Sequence, residues 1–158
     1  MSQIDQQLSK ARLAELEDLV RFAGYARLYG SMAVLALTLS FMPLFDDVVV
    51  GDVTTRYGSL WDMAGRNNAA PAGFGVILLL ALVMLLAVAA FGARNPKLQV
   101  ALAVNAALIF LMLLAKPGTG EPTPSLSGAG QAGVAIALCV TLLAIIHLVH
   151  LRAHERRG

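Results

Sequence analysis

The sequence predicts an all-α membrane protein: a four-helix transmembrane bundle that carries a small extracytoplasmic β-hairpin cap. Three observations carry this reading. Of 158 residues, 58% are hydrophobic and 14% are charged, against roughly 25% charged in soluble domains. The apolar residues gather in four runs, each near the ~20 residues a helix needs to cross a ~30 Å hydrocarbon core. The longest polar gap between those runs, 46–71, is rich in strand formers.

Residues 1–27 read as a cytoplasmic amphipathic helix. Ile4, Leu8, Ala11, Leu16, Leu19, Val20 and Ala23 recur at spacings of three and four, and Ser2 is placed as an N-cap. Four cations (Lys10, Arg12, Arg21, Arg27) balance four acids (Asp5, Glu15, Glu17, Asp18). A helix lying on the membrane surface would carry an excess of Lys and Arg, so docking on a partner is the preferred reading. A surface helix and a solvated extension of the first span are the alternatives.

The four-span transmembrane domain covers 28–151. The first span, 28–45, offers Gly30, Ser31, Ala33 and Ala36 for close helix contact, and Pro43 ends or kinks it. The second, 73–91, has no charge and no strong polar group. Arg94-Asn95-Pro96-Lys97 then forms a tight turn. The third, 98–115, holds Gln99 near its start and Asn105 near its middle. An amide in lipid finds a hydrogen bond across helices, so Asn105 reads as a packing bond rather than the lining of a path. The outer loop 116–132 is rich in Pro, Gly and Ser and predicts turns without a core. The fourth span, 133–151, contains Cys139 and Thr141, and a basic tail, 152–158, follows. The first run reads as a retained helix, because no small-residue cleavage site follows it.

The outer loop 46–72 is expected to form a hairpin, Asp47–Val50 and Val53–Tyr57, turning at Gly51-Asp52. A two-stranded hairpin is marginal alone. Tyr57, Leu60 and Trp61 are therefore expected to pack it onto the outer ends of the spans. The alternative is an irregular loop with Trp61 as an interfacial anchor. The chain has one cysteine, so no intrachain disulfide can hold this cap.

Orientation follows from charge. With both termini cytoplasmic, nine Lys and Arg lie inside (the N-terminal segment, the 94–97 turn and the tail), and Arg56, Arg66 and Lys116 lie outside. That predicts a multi-pass plasma-membrane protein.

Candidate chemistry is sparse. His147, His150 and His154 share a helix face at spacings suited to a metal, but Glu155 is the one local carboxylate and no other span has a His. They read as interfacial histidines at a helix end. Asp46, Asp47, Asp52 and Asp62 lack the spacing of a calcium loop. No Ser-His-Asp set, phosphate loop or metalloprotease motif occurs, and no intramembrane charge marks an ion path. A net charge of +2 without an arginine stripe argues against nucleic acid. We expect no catalysis and no cofactor.

The layout resembles the claudin-like tetraspan proteins: four spans, a long first outer loop with β character, a short inner turn and a small second outer loop. Gly58-Ser59-Leu60-Trp61 is similar to that family's Gly-Leu-Trp signature after the strands. Ala64 stands where the family's first cysteine falls. In size and layout the chain also resembles the LucB-type accessory subunits of actinobacterial Mce lipid-import complexes. These resemblances imply a non-catalytic accessory or stabilising subunit beside a larger integral membrane complex, with an Mce-type permease and membrane lipids as its surroundings. The other function classes are a stand-alone transporter or channel, and a His-based redox or metal membrane protein.

Overall fold

A computed structural model describes residues 3–66, 70–91, 95–116 and 123–155. Ser2, Arg94, the 117–122 part of the second loop and the 156–158 tail lie outside the described residues. So do the side chains of Ile4, Leu8, Ala11, Lys10, Asp5, Asp18, His154 and Glu155. In chain order the elements are α1 (Gln3–Leu39), β1 (Val48–Val50), β2 (Val53–Thr55), α2 (Leu60–Ala64), α3 (Ala70–Ala90), α4 (Pro96–Ala115) and α5 (Gly128–Glu155). Four helical stretches are long and apolar enough to cross a membrane: Glu15–Leu39, Ala70–Ala90, Pro96–Ala115 and Gly128–Ala153.

The expected amphipathic helix and first span form one element, because nothing between them breaks the helix. At about 1.5 Å per residue, the 37 residues of α1 span about 55 Å, well beyond a ~30 Å hydrocarbon core. The helix stops at Leu39, not near residue 45. Its end tightens through short-range bonds, with the Phe41 and Met42 amides donating to the Thr38 and Leu39 carbonyls. Residues 41–45 are apolar yet outside the helix, and after the turn that follows α1 the chain pairs through isolated bridges. Pro43 bridges to Ser59, and Phe45 bridges to Leu126. Hydropathy reports how apolar a stretch is, not its conformation.

That stretch forms a seam with the end of the second loop. The Asp46 amide donates to the Ser125 carbonyl at 2.9 Å, and the Ser127 amide to the Leu44 carbonyl at 3.1 Å. The Ser125 hydroxyl donates to the Asp46 carboxylate at 2.7 Å. Pro124 is fully buried. Residues 123–127 are thus pinned, contrary to the expectation of a coreless loop. α5 begins at Gly128, five residues before the expected start, with the Ser127 hydroxyl accepting from the Gly130 amide at 3.1 Å. Gly130 is required there: a Cβ would lie 2.0 Å from the Leu44 carbonyl oxygen.

The hairpin is antiparallel, with Val48 opposite Thr55, Val49 opposite Thr54 and Val50 opposite Val53. Gly51 takes a φ of 57° at the first turn position, as a two-residue hairpin turn demands.

The helices pack as a ring. α1 meets α3 and α5, and α4 meets α3 and α5, while neither diagonal pair approaches among the described residues. Tyr29, Leu82, Leu86, Leu102, Val140 and Ala144 form the interior. Ile77, Met84, Val104, Leu111 and Val149 point outward, as expected of side chains meeting lipid.

Candidate functional site

Because the backbones of the diagonal helices stay apart, side chains alone decide what fills the middle of the ring. In the half near the chain termini, Tyr29 fills it. Its hydroxyl reaches across from α1 to α4, donating to Gln99 Oε1 at 2.9 Å. It also lies 3.1 Å from His147 Nδ1 on α5. A phenol has one hydrogen. Since that hydrogen goes to Gln99, His147 donates from Nδ1 and keeps a lone pair on Nε2.

Tyr25, one turn earlier, stacks on the His147 ring with centroids 4.2 Å apart and planes 3° off parallel. Its hydroxyl hydrogen-bonds His150 Nδ1, and Phe22 tilts against His147 at 5.7 Å. Gln99 is 0% exposed and His147 4%. Gln99 Nε2 and His147 Nε2 are buried without a partner among the described residues. The cluster therefore presents one amide donor and one imidazole acceptor in an otherwise apolar interior.

The histidine face is shared with α1 tyrosines that take Nδ1 of both His147 and His150. No group of three or more His, Cys, Asp or Glu among the described residues is placed to hold a metal.

In the half near the hairpin the residues facing the middle are small or apolar, and a cavity of about 240 Å³ opens there. Ala36, Gly75, Gly133 and Ala137 line its walls, Leu60 and Met63 its roof, and Lys116 its rim.

The roof is α2. Ser59 caps it, with Asp62 and Ser59 bonding each other reciprocally. The Ser59 amide donates to Asp62 Oδ2 at 2.9 Å and its hydroxyl at 2.7 Å. Those two bonds hold the Asp62 carboxyl below the usual carboxylate range.

Of the residues expected to fix the cap, Leu60 and Trp61 sit on α2, and α2 packs on α3. The Trp61 indole donates to the Ser40 hydroxyl at 3.0 Å and stacks on Phe41 at 5.6 Å. Tyr57 lies apart from them, against Phe45 at 6.1 Å. The hairpin strands approach no helix among the described residues, and Val49, Val50 and Val53 are exposed. Trp61 thus anchors α2 to the end of α1 rather than wedging between the hairpin and the spans. Asn105 donates from Nδ2 to the Leu78 carbonyl on α3 at 3.0 Å.

Sequence reading passed over Tyr25, Tyr29 and the pairing of Gln99. The available signal was two tyrosines four residues apart at the start of the first apolar run, one helical face with two hydroxyls to satisfy. No family model, curated protein or solved structure matches this chain.

Proposed function

We propose that this chain is a non-catalytic accessory subunit that docks beside a larger integral membrane complex through the N-terminal part of α1. The observation carrying this reading is an uncovered face on that part of the helix. Leu13, Leu16 and Val20 lie on one stripe with Glu17 and Arg21, and Leu13 and Val20 are 62% and 72% exposed. From Phe22, which meets His147, α1 runs back to Gln3, about 28 Å at 1.5 Å per residue. An apolar stripe carrying both charge signs suits a helical partner with matching charges. The exposed hairpin valines offer a second contact at the other end.

The partner class we favour is the permease of an Mce-type lipid importer, on resemblance of size and layout. The termini are placed in the cytoplasm on the distribution of basic residues. The test is a photo-crosslinking residue at Leu16 in the native membrane, followed by identification of the captured protein. Capture of a multi-span permease, abolished by Leu13→Asp with Val20→Asp while the detergent-solubilised chain melts unchanged, supports docking. Crosslinks to lipid alone, or undiminished capture by the double variant, overturn it.

A further inference from the structure

We propose that the cavity at the hairpin end binds the hydrocarbon chain of a single-chain anionic amphiphile, a long-chain carboxylate whose head pairs with Lys116. The proposal does not depend on docking through α1, because the cavity lies at the opposite end of the bundle.

Three observations select this occupant. The first is polarity. Among the described residues, Ser40 is the one hydroxyl-bearing side chain in the lining, and it is already engaged, donating to the Leu37 carbonyl and accepting from the Trp61 indole. Among the described residues the walls are almost wholly apolar, and an apolar cavity of this kind takes hydrocarbon rather than water.

The second is size. About 240 Å³ exceeds the ~150 Å³ aliphatic cavity that admits benzene. One acyl chain fits, its remainder running toward the bilayer.

The third is charge. Among the described residues, Lys116 is the one charged residue in the lining. It ends α4 and is exposed, so its ammonium sits where the head of a membrane amphiphile also lies. It holds a φ of 55°, in a region where glycine is far easier to place, yet a cation occupies the position. A carboxylate complements it and a quaternary ammonium does not.

Trp61 supplies the readout, being the only tryptophan and bonded to Ser40 of the lining. The full chain in a neutral-detergent micelle is titrated with a brominated long-chain fatty acid, its methyl ester and a brominated quaternary ammonium amphiphile. Saturable quenching by the acid is expected, with affinity lower by on the order of tenfold for the ester and for Lys116→Gln, the effect of losing a charge-assisted contact. Ala137→Phe, which fills the cavity, should abolish saturation. Should that variant fail to fold, Lys116→Gln at its exposed position still decides. Equal quenching by acid, ester and cation marks mere partitioning into the micelle and overturns the proposal. So does an unchanged affinity in Lys116→Gln. Competition by two-chain phosphatidic acid at equal concentration would assign the site to a bilayer phospholipid and also overturn it.

Discussion

Tyr29 has one hydroxyl and two buried partners. Replacing it with phenylalanine removes the bond to Gln99 Oε1 and orphans His147 Nδ1. A buried polar group left unpaired costs about 1–3 kcal/mol, so Tyr29→Phe should lower stability by that amount in detergent thermal unfolding. Asn105→Leu should cost less, about 0.6 kcal/mol, because the Leu78 carbonyl it bonds lies inside a helix and keeps its backbone partner. Equal losses for the two variants would mean that the Tyr29 cluster is not the polar anchor of the bundle. Sequence reading found Asn105 because an amide mid-span is conspicuous. It missed Tyr29 because the hydroxyl's value depends on two side chains more than sixty residues away in sequence.

At the scale of the element, α2 and the start of α5 are both short-range devices set against a long-range constraint. The Asp62 carboxyl is held below its usual range chiefly by the Ser59 hydroxyl, then by the Ser59 amide. A depressed carboxyl stabilises the folded form fully above its ordinary value, and the gain is lost as pH falls through the lowered folded value. Acidification below about pH 4 should therefore loosen α2, read as a change in Trp61 emission. Asp62→Asn should flatten that transition, and a transition of equal size in the variant would contradict the assignment. Ser59→Ala should cost about 1 kcal/mol, the ordinary worth of an N-cap.

Two glycines at the start of α5 form a paired test. A Cβ at Gly128 meets nothing within 4 Å, whereas one at Gly130 meets the Leu44 carbonyl oxygen at 2.0 Å. Gly128→Ala should change stability by less than about 1 kcal/mol. Gly130→Ala should destabilise by about 1–3 kcal/mol or more through overpacking and expose 43–46 to protease. Similar melting of both variants would remove the seam from the account of the cap.

On the scale of the whole molecule, the ring arrangement makes the two ends differ. Tyr29 closes the centre near the termini, and small residues leave it open near the hairpin. Orientation is testable on the same frame. In a Cys139→Ala background, which leaves the introduced thiol as the only one in the chain, Asp52→Cys should react with an impermeant thiol reagent on intact cells. Arg12→Cys should react only after permeabilisation. Labelling of Arg12→Cys in intact cells would reverse the topology.

The four apolar helices and the Gly51-Asp52 hairpin turn were readable from the chain because each is local, whereas the short helix capped by Ser59 went unread. Hydropathy and turn chemistry act over a few neighbouring residues. Where α1 ends was not readable, because residues 41–45 are as apolar as a span and are drawn out of the helix by partners at Ser59 and Leu126. The place of Trp61 was half readable. A lone indole announces a burial site, but Ser40 and Phe41 became its partners only once α1 stopped at Leu39. The cavity and the Tyr29 cluster belong wholly to the tertiary structure. Both arise from which helices become diagonal neighbours in the ring, and that is set by packing between distant segments, for which no stretch of the sequence carries a local signature.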